Sequence, residues 1–325
     1  MIVVRTPLRI SFVGGGSDFP DYYRAHGGAV LSTAIDKYVY VIVKERFDDQ
    51  IYINYSRKEI VDSVADIQHE LVREAMRITG VDRGVEITTL ADVPSSGTGL
   101  GSSSSITVGL LQALYAYKGV LVTAEQLAQQ ACEIEIDRCK KPIGKQDQYI
   151  AAFGGLRVIQ FKPDNAVVVH TVDSAEAVRQ QLNREMLLFY TDVTRSAGGV
   201  LHEQQQNIQA RRSELGEMVA LVEPGRACIE AADLIRLGDL LHRGWELKKG
   251  LASGVSSTWI DGLYAAARAA GATGGKIAGA GGGGFLLLHC PLDRQSTVRA
   301  ALKELRELPF SLERDGSRVI FNIRS

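Results

Sequence analysis

Pro94-Ser95-Ser96-Gly97-Thr98-Gly99-Leu100-Gly101-Ser102-Ser103-Ser104-Ser105 is the stretch on which the reading of this chain turns. Val85 to Leu90 before it is strand-like, and Ile106 to Ala116 after it has the apolar content and propensities of a helix. Glycines let a turn bring backbone close to a ligand, and the first N–H groups of the following helix are free to attract an anion. Serine hydroxyls can add hydrogen bonds or help hold a magnesium ion. Strand, glycine-serine turn and helix together point to a phosphate cradle, with a structural cap as the competing explanation. No Lys-Ser or Lys-Thr follows the glycines, as a P-loop requires, and the glycine spacing is wrong for the dinucleotide fingerprint.

Upstream, Ile2 to Val4 and Ile10 to Val13 read as short strands around Pro7, followed by the loop Gly14-Gly15-Gly16-Ser17-Asp18. Arg9 and Asp18 are the polar residues of interest there. Ala29 to Leu31, Ile35 to Val43 and Ile51 to Asn54 suit strands of a mixed sheet, and Ile67, Leu71, Ala75 and Ile78 fall on one helical face. Downstream, Thr123 with Gln126 predicts a capping box opening a helix over 124–139. On that helix Glu133 and Asp137 share a face and Glu135 turns away from both. Pro142 ends it, and Gly144-Lys145-Gln146-Asp147-Gln148 follows, placing Asp147 at a pocket edge where a carboxylate could orient or deprotonate a hydroxyl. An Asx turn is the plainer explanation of the same residues.

Strands are expected from Phe153 to Phe161 and from Ala166 to Val169, with an interdomain passage over about 170–185. Met186 to Tyr190 is another strand, leading to Arg195, a residue suited to bidentate binding of a carboxylate or phosphate. Helices are predicted over 197–220, 226–236, 239–249 and 256–270, with Lys248 and Lys249 near one helix end. Gly279-Ala280-Gly281-Gly282-Gly283-Gly284 technically contains GxGxxG, but it precedes the strand Phe285 to His289, the wrong order for dinucleotide binding. It suits close packing against the first cradle.

The 325 residues carry a net charge of -1, so a polyanionic partner is not expected, and no zinc-finger or basic-zipper pattern is present. Cys132, Cys139, Cys228 and Cys290 are scattered without CxxC spacing and read as free thiols. Met1 leads straight into a strand, and the apolar run Ala278 to Leu288 is too short to span a membrane, so a cytoplasmic protein is expected.

Three stretches, 7–18, 94–105 and 279–284, together resemble the galactokinase, homoserine kinase, mevalonate kinase and phosphomevalonate kinase (GHMP) superfamily. The resemblance implies a two-domain α+β fold, an N-terminal α/β domain with a left-handed βαβ feature over 1–180 and a ferredoxin-like domain over 181–325. It implies ATP and Mg2+, with Pro94, Gly97, Gly99, Leu100, Gly101, Ser102, Ser103 and Ser104 around the nucleotide. Ser103 and Glu135 are then the preferred magnesium ligands. Asp147 matches the catalytic aspartate of a Gly-x-x-Asp-Gln pattern, and Arg9 the arginine beside it. Asp18, Gly15, Gly16, Ser17, Lys145, Asp147, Arg195, Lys248, Gly281 and Gly282 are implied on the substrate side. The galactokinase segment Gly-Glu-His-Thr-Asp is replaced here by Gly14-Gly15-Gly16-Ser17-Asp18, which makes galactose a poor first choice.

The segments 190–196, 245–249 and 274–281 narrow the resemblance to bacterial D-glycero-D-manno-heptose 7-phosphate kinases. That implies phosphorylation of a sugar phosphate at its anomeric hydroxyl, for nucleotide-heptose synthesis. The alternatives are an anomeric kinase for an unphosphorylated sugar such as fucose, or a non-catalytic metabolite-binding protein. The expected partners are ATP and a small sugar phosphate, with no nucleic acid and no membrane; a homodimer is compatible with the sequence.

Overall fold

Residues 2–13 form one unbroken strand in spite of Pro7. A computed structural model describes residues 1–94, 97–193 and 197–323. In it β1 (Ile2–Val13) lies antiparallel to β2 (Gly28–Glu45), with α1 (Pro20–His26) between them in sequence. The two predicted short strands on each side are therefore single long ones. The register slips between Pro7 and Leu8, and such a bulge accommodates a residue that has no N–H for the ladder. Along β2, Val39, Val41 and Val43 are buried while Tyr38, Tyr40 and Ile42 are half-exposed, the alternation of a strand with one face on the core.

The chain continues through β3 (Ile51–Asn54), β4 (Lys58–Val61), α2 (Glu70–Thr79), β5 (Val85–Ala91), α3 (Ser102–Lys118), α4 (Ala124–Cys132), α5 (Gln146–Phe153), β6 (Leu156–Phe161) and β7 (Val167–Thr171). The first sheet runs from a late strand, Arg318–Asn322, through β1-β2-β5-β3-β4, with β6 paired to the first half of β2 and β7 to β6. Among the described strands β3 and β5 are the parallel pair. Helix α3 packs on β1 and β2, and buries Val108, Leu111 and Leu114 against them.

After α6 (Glu176–Glu185) come β8 (Met186–Tyr190), α7 (Ala197–Asn207), α8 (Arg212–Ala220), α9 (Val222–Glu230), α10 (Leu234–Lys249), α11 (Thr258–Ala269), β9 (Gly274–Ile277), β10 (Phe285–His289), α12 (Gln295–Ala301), β11 (Arg306–Glu307) and β12 (Arg318–Asn322). The second sheet has the order β11-β8-β10-β9 with every pair antiparallel. Numbered along the chain this is 4-1-3-2, with helices between its first and second and its third and fourth strands, which is the ferredoxin-like arrangement. The helix predicted over 226–236 is interrupted: Ala232 has φ of 59°, and the side chain of Asp233 accepts from Arg236 N to start α10. A boundary near residue 180 falls inside α6, and β12 crosses back to pair with β1, so the final strand belongs to the first sheet. No helix among the described residues is long and apolar enough to cross a membrane. The four cysteines are free, and burial raises the thiol pKa of each.

Candidate active site

A cavity of about 580 Å³ opens between the two sheets' lobes at the N-terminus of α3. The helix starts abruptly because Gly101 takes φ of +81° as its N-cap, leaving the N–H groups of the first turn facing the cavity. A side chain at Gly101 would press within 3.1 Å of Arg9 Cγ and 3.3 Å of Asp147 Oδ2. That crowding and the positive φ both favour glycine at the point where those two groups lie against the turn. Gly99 and Gly279, also at positive φ, pack backbone against backbone, which joins the central loop to the late glycine loop.

Arg9 sits on β1 and Asp147 in the first turn of α5. Arg9 Nε donates to Asp147 Oδ1 and Nη2 to Oδ2, each at 2.7 Å, a bidentate fork that fixes the carboxylate. Its third nitrogen, Nη1, donates to Gly99 O, and its own N–H donates to Leu100 O at 3.0 Å. One guanidinium thus ties the Asp147 carboxylate to the glycine-serine loop. Asp18, 3% exposed, accepts from Gly16 N at 3.1 Å, Gln146 N at 3.1 Å and Gln146 Nε2 at 3.4 Å. Burial pushes its carboxyl above the usual range, opposed by the Gln146 N–H and reinforced by the charge of Asp147.

Glu135 lies on a single π-helical stretch, Glu133–Arg138, that extends α4. Widening of the helix is frequent at functional positions, and here it carries a fully buried carboxylate. Oε2 accepts from Ser104 Oγ at 2.7 Å and Gln148 Nε2 at 2.8 Å; Lys141 Nζ lies 3.8 Å from Oε1, which is buried without a hydrogen bond. Burial raises the pKa of Glu135, with Lys141, Ser104 and Ser103 opposing in that order. A buried carboxylate with one oxygen free of hydrogen bonds, whose other oxygen is bonded to the Ser104 hydroxyl of the cavity wall, fits magnesium, which takes one or two carboxylates and completes its shell with phosphate and water. Among the described residues no group of three or more His, Cys, Asp or Glu could hold a metal without such help.

The other lobe contributes Lys248 from the end of α10 and Lys276 from β9, both buried and both lining the cavity. Gln204 of α7 donates to Ala280 O at 2.9 Å and closes the same side.

Residues 54–155 match the GHMP kinases N terminal domain and residues 226–307 match the GHMP kinases C terminal domain. The D-glycero-alpha-D-manno-heptose 7-phosphate kinase of Campylobacter jejuni is 30% identical over 319 residues, covering 93% of this chain and 94% of that protein. This chain belongs to the GHMP kinases. A solved D-glycero-D-manno-heptose 1-phosphate kinase from Bacteroides thetaiotaomicron superposes on this GHMP kinase with a TM-score of 0.84 at 25% identity, over 100% of both chains. The L-fucokinase/L-fucose-1-P guanylyltransferase of Bacteroides fragilis is 27% identical over 91% of this chain, which spans only 35% of that longer protein.

Within the kinase cleft the expected Arg9, Asp18, Gly15, Gly16, Gly97, Gly99, Gly101, Ser102, Ser103, Ser104, Asp147 and Lys248 come together. Glu135 lies behind them, bonded to Ser104. Leu100 is fully buried in the core and serves the site through its carbonyl, while Pro94 is exposed and outside the cavity wall. Ser17 holds the turn instead of the cavity, donating to Gly14 O at 2.8 Å. Lys145 turns away to donate to Asn165 Oδ1 at 2.6 Å over the Tyr23 ring. Gly281 and Gly282 support the loop from behind, the latter through Gly282 N donating to Val255 O at 2.8 Å. Arg195 lies outside the described residues. Ser11, Gln146, Gln204 and Lys276 line the cleft without having been singled out in the sequence. Of these, Lys276 left a signal: a lone cation in the apolar, glycine-rich run 274–288.

Proposed function

We propose that this GHMP kinase transfers the γ-phosphoryl group of ATP to the anomeric hydroxyl of D-glycero-D-manno-heptose 7-phosphate, giving the 1,7-bisphosphate for nucleotide-heptose synthesis in the cytoplasm. The observation that carries the reading is the Arg9–Asp147 fork, held at the junction of the phosphate loop and the Asp18 pocket. Names borne by the two heptose-kinase relatives support a seven-carbon sugar phosphate as acceptor.

In this reading the N–H groups of Ser102, Ser103 and Ser104 hold the nucleotide phosphates at the start of α3. Glu135 and Ser103 or Ser104 would hold magnesium, which neutralises charge on the transferring group when bound. Asp18, which lines the cavity beside Asp147, accepts a hydrogen bond from a sugar hydroxyl. Asp147 orients the anomeric hydroxyl and takes its proton as the sugar oxygen forms its bond to γ-phosphorus. The bond from γ-phosphorus to the bridging oxygen breaks, its electron pair leaving with ADP. Arg9 holds the Asp147 carboxylate in place through its bidentate fork and faces the charge that develops on the phosphoryl oxygens.

Product-resolved kinase assays with ATP and magnesium test this, comparing the heptose 7-phosphate with the free heptose and with fucose. Selective formation of the 1,7-bisphosphate is expected. Preference for a free sugar would retain the phosphoryl-transfer chemistry and replace the acceptor.

A further inference from the structure

Two buried ammonium groups of the second lobe have no role in the transfer just described. Lys248 donates to Gly279 O, and Lys276 has no hydrogen-bond or ion-pair partner among the described residues. The carboxylates of the cleft are already engaged. Asp147 is forked to Arg9, Asp18 is bonded to Gly16 and Gln146, and Glu135 is bonded to Ser104 and Gln148 beside Lys141. In the reading above, nucleotide phosphates have their own donors in the first lobe, at the start of α3.

We propose that Lys248 and Lys276 form a separate subsite for the phosphate monoester that the acceptor already carries, so that the second lobe selects sugar phosphates over free sugars. This rests on the sugar-phosphate reading above. A phosphate monoester near neutral pH is close to a dianion, and two ammonium groups without carboxylate partners match its charge. Holding a lysine in a buried site without a counter-charge is unfavourable, and a ligand that brings the charge removes that cost. The ligand-free lysines show the imbalance. Burial first and Arg9 next push Lys248 down to about 8, against Asp18 and Asp147. Burial, then Lys248 and Arg9, push Lys276 well below the ordinary lysine range, again against Asp147 and Asp18. A bound dianion favours the protonated form of both lysines, so at pH 8, where Lys248 is only partly protonated in the free enzyme, binding of the sugar phosphate takes up protons from solution.

The test uses the intact enzyme with Mg-ATP and measures kcat/KM for heptose 7-phosphate and for free heptose, in wild type, Lys276→Met and Lys276→Arg. Wild type is expected to favour the phosphorylated sugar, and K276M to lower that ratio about 10- to 100-fold, the scale of one charged hydrogen bond. K276R is expected to recover part of the ratio and shows that the fold survives a change at this position. Calorimetry of heptose 7-phosphate binding without nucleotide, in buffers of different ionisation enthalpy at pH 8, is expected to show net proton uptake that shrinks in K276M. A selective wild type whose ratio is unchanged in K276M, with both rates lowered equally, overturns the subsite and assigns the lysine to the transferred phosphoryl group. A wild type that does not discriminate overturns the sugar-phosphate reading and the subsite with it.

Discussion

The two walls of the cleft handle charge in opposite ways. On the first-sheet wall each ionised group has a partner: Arg9 with Asp147, Asp18 with backbone N–H groups, Glu135 with Ser104 and Gln148. On the second-sheet wall Lys248 and Lys276 are buried without a carboxylate. The Arg9–Asp147 fork and the hydrogen bonds to Asp18 hold those groups in place before ligand arrives, which suits the atoms that must be aligned for chemistry. An unsatisfied pair is incomplete until ligand arrives, which suits selection. The comparison separates the residues expected to govern turnover from those expected to govern which acceptor is used.

The largest blow to that division comes from Asp147→Asn. It keeps volume and should lower kcat about 10³-fold by removing the proton acceptor, while nucleotide affinity, read by fluorescence titration, changes far less. Equal loss of nucleotide binding would place Asp147 in the cradle itself. Glu135→Gln comes next. The magnesium concentration for half-maximal rate should rise at least about tenfold, and the thermal midpoint of the ligand-free protein should rise because a buried, half-partnered charge is gone. A falling midpoint with unaltered magnesium response would make Glu135 purely structural.

A smaller effect belongs to pH. Lys248 is depressed to about 8, so it is charged below that pH and neutral above it in the free enzyme. The KM for the phosphorylated acceptor should therefore climb as pH passes about 8 while the KM for free sugar does not follow. The groups facing this lysine are Lys276 on β9, Arg9 on β1, Asp147 on α5 and Asp18 beyond β1. The smallest effect is a control outside both walls. Thr123→Ala breaks the capping box at the start of α4, and should cost about 1 kcal/mol in denaturant unfolding without shifting acceptor preference.

Local patterns were legible and directions across space were not. Thr123 and Gln126 announced their capping box, and Leu71 and Ala75 their buried helix face, because both are written within one or two turns. The turn of Glu135 away from Glu133 and Asp137 was also legible, and Glu135 is buried where the other two are not. The merging of 2–4 with 10–13 into β1 was not, since Pro7 suggests a break until a partner strand absorbs it as a bulge. Lys145 stands two residues before Asp147, yet its position as the N-cap of α5 sends it to Asn165. Lys276 stands 129 positions after Asp147 by their numbers and reaches the same cavity, because β9 brings it there. Sequence proximity decided the first expectation, and sheet order decides the second.

The return of β12 to β1 has a consequence for biosynthesis. Ile2 pairs with Asn322, and Thr6 Oγ meets Ser317 Oγ at 2.8 Å, so the outer edge of β1 waits for residues made some three hundred positions later. On a ribosome that edge stays open while the entire second lobe is being translated, a long interval for an apolar strand to remain without its neighbour. The sheet of the first lobe is therefore complete only once β12 has been made.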